Sequence, residues 1–248
     1  ASLTKVMTLY LTFEAIDAGV LRFNQPLRVS TRAQYAAPSK LGLRAGQIIT
    51  VRQAILALVT KSANDAAIVL AETLGGNERR FAQIMTAKAR ALGMKHTVFR
   101  NASGLPARGQ ISTARDLATL ARAVISRFPH HYHFFGTRAF VWRGAVHGNH
   151  NRLLGRYPGV DGLKTGYVRA SGYNLIVSAR NGAGHRVIGV VLGGRSSRAR
   201  DIKMTSLLNQ TIGGGTKYAA AGRVGRPAFS PVRRKASRAG VATFQAKK

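Results

Sequence analysis

The feature that most constrains this chain is a change of hydrophobic period close to residue 130. Before it, apolar residues recur at helical spacing, as in Leu3 to Ala18, with apolar positions 3, 6, 7, 10, 11 and 13 and Gly19 as a stop. Thr50 and Gln53 have capping-box spacing ahead of a helix at 51–59. The break "TKSAND" precedes an apolar helix from Ala66 to Leu74, Asn77 caps another through Leu92, and Thr113 or Ser112 opens "STARDLATLARAVI". "RFNQPLRVS" and "GLRAGQIIT" read as short strands and turns. From Phe134 the character changes. "FFGTRAFVW", "GLKTGYV", "GYNLIVSAR" and "HRVIGVVLGG" are strand-like, "RNGAG" between the last two is a hairpin signal, and "SSRARDIKMTSLLNQTI" returns to helix. This order predicts an α+β fold of the α/β sandwich kind. An antiparallel sheet is flanked by helices, and an all-helical subdomain spans about 20–130.

At 248 residues, 45% of them apolar and 27 of them glycine, the chain can bury a sizeable core. No window approaches 18 uninterrupted apolar residues, so no membrane span is expected. The absence of cysteine excludes thiol catalysis and zinc–thiolate sites. Charge is extreme: 39 Lys+Arg against 8 Asp+Glu give +31. Nine of the basic residues and none of the acids fall in Lys217–Lys248, which leaves 30 basic and 8 acidic residues in 1–216. Such a surface attracts polyanions without regard to sequence: nucleic acid, anionic lipid or anionic wall polymer. The stretch 213–248 is small, basic and free of period, and is expected to be a disordered tail behind a catalytic domain at 1–212.

Three short motifs occur in order: Ser2-Leu3-Thr4-Lys5, Ser62-Ala63-Asn64 and Lys164-Thr165-Gly166. Residues three apart on a helix share a face, so Lys5 can reach the Ser2 hydroxyl. Ser2 is then either a helix cap or a nucleophile with its base; Lys5 is either a solvated helix lysine or a buried amine. A catalytic Lys5 must be neutral, which calls for burial and a second cation nearby; Lys164 is the candidate. Ser62 and Asp65 have capping-box spacing for the helix that follows, which competes with any chemical role of Ser62. Gly166 on a strand edge permits close backbone approach. His130, His131 and His133 lack a helical i,i+4 pair and companion carboxylates, so no metal is expected.

The order of the motifs is that of penicillin-binding proteins and class A β-lactamases. Together with "FRNASGLP", "VDGLKTGY", "SGYNLIVSA" and "VIGVVLGGRS", it makes residues 1–212 resemble the low-molecular-mass D-alanyl-D-alanine carboxypeptidases of the penicillin-binding protein group. The resemblance implies a β-lactamase/transpeptidase-like fold. It also implies one or two strands and an export signal ahead of the serine, so this chain is expected to lack them. It implies Ser2 as nucleophile, Lys5 as base and Ser62 as proton relay. Asn64 would contact the acyl chain, and the backbone N–H groups of Ser2 and Tyr167 would form the oxyanion hole. Lys164, Thr165, Gly166 and Arg195 would line the substrate, with Arg195 and Thr165 on its terminal carboxylate. His150 stands where some members carry a further arginine, and Val168 where many carry threonine. The implied function is removal of the terminal D-alanine from peptidoglycan pentapeptides, without metal or cofactor, in the bacterial envelope (periplasmic or exported). Implied partners are peptidoglycan stem peptides, β-lactams as inhibitors, and an anionic envelope polymer or membrane surface for the tail.

Three rival functions share parts of this pattern. A D,D-endopeptidase would use the same residues. A class A β-lactamase needs a deacylating Glu in a loop before Lys-Thr-Gly, and the only acid between Asp116 and Lys164 is Asp161, which argues against it. A non-catalytic basic wall- or nucleic-acid-binding protein fits the charge, yet no nucleic-acid motif is present and no specific nucleic acid is expected.

Overall fold

The computed structural model describes residues 1–212 and 241–245, the latter by backbone alone. Helix α1 (Lys5–Asp17), entered through a 3-10 turn at Ser2–Thr4, runs through the middle of the molecule. Val6, Met7, Leu9, Tyr10 and Phe13 are all fully buried, so α1 is apolar on every side, as a helix enclosed by protein must be. Around it pack α3 (Val51–Val59), α4 (Asn64–Gly75), α5 (Glu78–Ala91) and α6 (Ala114–Arg127), with a short α2 at Thr31–Gln34. The expected start signals hold where they are local. Thr50 and Gln53 close a full capping box, and the side chains of Asn77 and Thr113 accept from Arg80 N–H and Asp116 N–H.

The block at 20–130 is not all-helical. β1 (Pro26–Arg28) and β2 (Ile48–Thr50) form a small antiparallel pair within it. A second pair, β3 (Ala139–Trp142) with β4 (Ala145–Gly148), follows a 3-10 turn at Tyr132–Gly136 that replaces the first half of the expected strand "FFGTRAFVW".

The main sheet is antiparallel, in the order β5 (Val160–Val168), β6 (Gly172–Arg180), β7 (Arg186–Gly194), β8 (Val241–Gln245). Its two faces belong to different cores. Leu163, Ile176, Ile188 and Val190 join the α1 core, whereas Leu175, Val177, Val187 and Val191 pack under Met204 and Leu208 of α7 (Ser197–Thr211). A sheet covered on both faces has no polar side to show, hence the nearly unbroken apolar runs of β6 and β7.

The expectation of disorder from Gly213 fails for Val241–Gln245, which pairs with β7 in the register Val187↔Gln245 to Val191↔Val241. The β-branched and aromatic residues of "VATFQ" suit a strand, and the outer edge of β7 offers unpaired backbone groups. The rest of that expected tail lies outside the described residues.

Candidate active site

The N-terminus of α1 meets the middle of β5 because Gly166 lets it. A Cβ built there would stand 3.0 Å from the Ser2 nitrogen. At this junction lies a cavity of about 750 Å³ lined by Ser2, Ser62, Asn64, His150, Thr165, Gly166, Tyr167 and Arg200, among others. Ser2, Ser62, Asn64, Thr165, Gly166 and Tyr167 were all expected at the site, and they are brought together from three separate segments.

Lys5 is fully buried beneath them. Its Nζ lies 2.6 Å from Asn64 Oδ1, 2.7 Å from the Ser103 carbonyl and 3.3 Å from Ser2 Oγ. Asn64 Nδ2 donates to the Ala37 carbonyl at 2.8 Å, which fixes Oδ1 as the atom facing Lys5. Both oxygens around Nζ can only accept. A neutral amine has two N–H bonds and one lone pair, so the two acceptors orient the N–H bonds and the lone pair is left for Ser2. Burial first, and then the charge of Lys164, hold the Lys5 pKa well below its ordinary value, against an opposing pull from Asp65 and Glu78. Lys164 is itself buried, donates to the Thr165 carbonyl at 3.0 Å, and is lowered to about 7 by burial and by the Arg200 charge.

The solvated reading of Lys5 is thereby excluded, and so is the capping-box reading of Ser62. Helix α4 has Ala63 as N-cap with no side-chain cap, and the Asp65 carboxylate accepts from the backbone N–H groups of Leu41, Gly42 and Leu43 instead. Ser62 adopts φ 60, a left-handed conformation costing a non-glycine residue about 1–2 kcal/mol. Its Oγ is buried without a hydrogen-bond partner among the described residues. A strained backbone that holds an unpaired hydroxyl in a cavity leaves that hydroxyl for a ligand.

The expected arginine is the wrong one. Arg195 is exposed and not in the cavity lining, whereas Arg200 is buried and lines it. β7 ends at Gly194, Ser196 caps α7, and a side chain one turn into a helix points back towards the helix start. Arg200 thus folds over Gly194, where a Cβ would come within 2.9 Å of its own. Its Nε and Nη2 donate to Asp201 and Nη1 donates to the Asn174 carbonyl, so two of its five N–H bonds have no acceptor among the described residues. His150, which stands where some members of the family carry an arginine, lines the cavity. Partial burial and then the charges of Lys164, Lys61, Arg200 and Lys5 push its pKa down, so it offers a neutral ring in place of a cation. Tyr167 is half exposed at the cavity mouth, its ring 4.3 Å from that of Tyr173. Of the histidine cluster, His131 pairs with Asp17 and His133 with the His130 carbonyl.

A serine at a cavity wall over a buried lysine, flanked by a second lysine on a strand, is an arrangement for acyl transfer through a serine ester. Comparison with known proteins gives it a family. Residues 1–196 match the family model described as D-alanyl-D-alanine carboxypeptidase, peptidase S11, and the chain belongs to that family. It is 36% identical over 217 residues to D-alanyl-D-alanine carboxypeptidase DacF of Bacillus subtilis, covering 84% of this chain and 54% of the relative. The chain thus spans about half the length of such relatives. Among solved structures it resembles D-alanyl-D-alanine carboxypeptidase DacD from Francisella tularensis, with a TM-score of 0.82 and 33% identity over 84% of this chain and 63% of that one. It also resembles penicillin-binding protein D2 from Listeria monocytogenes in its cefotaxime-bound form, with a TM-score of 0.74 and 35% identity over 85% of each chain. The transpeptidase-like α+β architecture expected from the sequence is the one these structures share with this chain.

Proposed function

We propose that residues 1–212 act as a serine-type D-alanyl-D-alanine carboxypeptidase of the bacterial envelope, periplasmic or exported, and that the protein is sensitive to β-lactams. The observation that carries this reading is the placement of buried Lys5, whose Nζ is held by Asn64 Oδ1 and the Ser103 carbonyl within 3.3 Å of Ser2 Oγ. Ser2 attacks the carbonyl of the penultimate D-alanine while Lys5 takes its proton. The oxyanion is held by the backbone N–H groups of Ser2 and Tyr167. The bond to the terminal D-alanine then breaks, its amine leaves with a proton passed through Ser62, and water hydrolyses the ester on Ser2. Lys164, as a cation, keeps Lys5 neutral. Arg200 and the Thr165 hydroxyl receive the terminal carboxylate, and Asn64 offers its remaining N–H to the acyl chain. The excess positive charge draws the protein to anionic envelope polymer.

The match to a relative solved with cefotaxime supports the β-lactam part. The test is intact-mass measurement after mixing with a penicillin: one adduct per chain, on the peptide that contains Ser2, absent in Ser2→Ala. An adduct that survives Ser2→Ala overturns the mechanism. A D,D-endopeptidase would be acylated in the same way. It is set apart by cleavage of cross-linked dimers in preference to pentapeptides.

A further inference from the structure

We propose that the opposite end of β5 carries a second ligand site, one that binds a phosphate group between Arg138 and Arg180. A cavity of about 520 Å³ lies there, lined among others by Tyr132, Arg138, Gly155, Asp161, Arg180 and Arg186. Among the described residues it shares no lining residue with the cavity around Ser2. Asp161 and Thr165 are four residues apart on β5, roughly 13 Å at the rise of a strand.

Charge is the first argument. Arg180 and Arg186 are direct cross-strand partners at the end of the β6–β7 hairpin, and like charges so placed repel. The one acid of the cavity is Asp161, and Arg186 engages both its oxygens, at 2.9 and 2.7 Å. Tyr132 donates to the same carboxylate at 2.8 Å, so Asp161 has little left for Arg138 and Arg180. No other carboxylate can replace it. Each of the eight in the chain is already engaged by an internal donor. Residues 213–248 contain no acid. No acidic side chain is left over for Arg138 and Arg180, so a dissolved anion has that place open to it.

Geometry is the second. Arg138 and Arg180 are both exposed where they line the cavity, and each is placed by a contact of its own. Arg138 lies against Gly155, at φ +72, so closely that a Cβ there would stand 2.6 Å from its Nη2. The backbone N–H of Arg180 donates to the Gly159 carbonyl at 2.9 Å, which fixes the end of β6 against the start of β5. Two guanidinium groups at the rim of one concavity suit a tetrahedral oxyanion, which can accept from both at once. Free phosphate and a phospholipid headgroup share that chemistry.

The test compares three full-chain proteins that keep the catalytic residues: wild type, Arg138→Ala/Arg180→Ala, and Arg79→Ala/Arg80→Ala. The last removes the same charge from two exposed positions on α5. Titration calorimetry with inorganic phosphate measures the site directly. Co-sedimentation with phosphatidylglycerol vesicles, against phosphatidylcholine vesicles, asks whether a headgroup also enters. The expected result is saturable phosphate binding weakened at least about tenfold in Arg138→Ala/Arg180→Ala and less than about twofold in the other pair, since the lost hydrogen bonds are charge-assisted. Vesicle binding that falls with the first pair alone makes the source a lipid headgroup; vesicle binding equal in all three makes it free phosphate. Equal losses of phosphate affinity in the two pairs, or no saturable binding by wild type, overturn the proposal.

Discussion

Lys164 and Arg186 are both buried cations beside β5, and the fold treats them in opposite ways. Lys164 is 1% exposed, has the Thr165 carbonyl as its hydrogen-bond acceptor, and feels Arg200; its pKa falls to about 7. Arg186 is 9% exposed, and burial, the largest single influence, would lower its pKa as well, but the hydrogen bonds and charge of Asp161 together with Tyr132 outweigh it and the net shift is upward. The difference is a carboxylate and the phenol beside it. An arginine with Asp161 across from it keeps its charge and ties β5 to β7. A lysine without a carboxylate is held near the point of losing its proton, which is costly for stability and useful for chemistry. The Ser2 end of β5 thus holds its buried amines close to neutrality, and the Asp161 end holds charge in place.

The largest expected effect tests the first half of that contrast. Lys5→Arg puts at α1 a basic side chain that cannot be deprotonated, so acylation by a β-lactam should fall by about 10²–10⁴-fold, nearly as far as in Lys5→Ala. Stopped-flow acylation rates decide it. If Lys5→Arg retains more than about a tenth of the wild-type rate, Lys5 is not the base.

Next in size is Arg200→Ala. A charge-assisted bond to a carboxylate is worth roughly 1.5–3 kcal/mol, which corresponds to about 10- to 200-fold in kcat/KM. That loss should appear on a peptide ending in D-Ala-D-Ala and largely vanish on the same peptide with an amidated C-terminus. Arg195→Ala, which removes an exposed cation, should stay within about twofold on both, in keeping with a weak, screened surface charge. Equal losses on acid and amide would return Arg200 to a structural role through Asp201.

These two arginines also mark how far the site was legible in the sequence. Ser2, Lys5, Ser62, Asn64 and Lys164 lie in short motifs that carry the family resemblance, and the structure brings Lys5 into contact with Ser2 and Asn64. The caps at Thr50, Asn77 and Thr113 were found because a cap is a local hydrogen bond. Arg195 was named from the family resemblance and Arg200 was not considered, because both follow the last strand and only the turn from β7 into α7 decides which one faces inward. Ser103 was missed altogether. It acts through a backbone carbonyl, which every residue has, and Thr8 Oγ1 helps hold that loop on α1 by donating to the Ala102 carbonyl at 2.7 Å. Asp65 was misread for the same kind of reason: its partners lie more than 20 residues away in a loop, where spacing along the chain carries no information.

The second half of the contrast is tested by stability. Asp161→Asn leaves Arg186 buried without a counter-charge. Breaking a buried pair costs about 3–5 kcal/mol, and the partial exposure of Asp161 puts this one at the lower end, about 3 kcal/mol by denaturant unfolding. The rate of acylation of the remaining folded protein should hardly change, because Asp161 touches nothing at Ser2. A variant as stable as wild type would mean that Arg186 finds its charge compensated by Ser178 and water.

The smallest expected effect has the opposite sign. Lys164→Met removes a buried amine that has no carboxylate partner, and replacing such a group by an apolar one of similar length is neutral or stabilising, here by about 1 kcal/mol at neutral pH. The pH dependence identifies the cause. The folded pKa of Lys164, about 7, lies below its unfolded value near 10.4, so between those values the unfolded chain binds the extra proton. Wild-type stability should therefore rise with pH across that window, and the penalty for burying the charge should be fully present below about pH 7. Lys164→Met loses this rise. Removing the neighbouring cation also relaxes Lys5 towards its ordinary pKa, which flattens the curve further. The advantage of the variant should be greatest at pH 6 and shrink or reverse by pH 9, as measured by urea unfolding at both. A gap that stays constant across the window would mean that Lys164 is not poised by burial. The two ends of β5 would then differ in packing and not in how they treat charge.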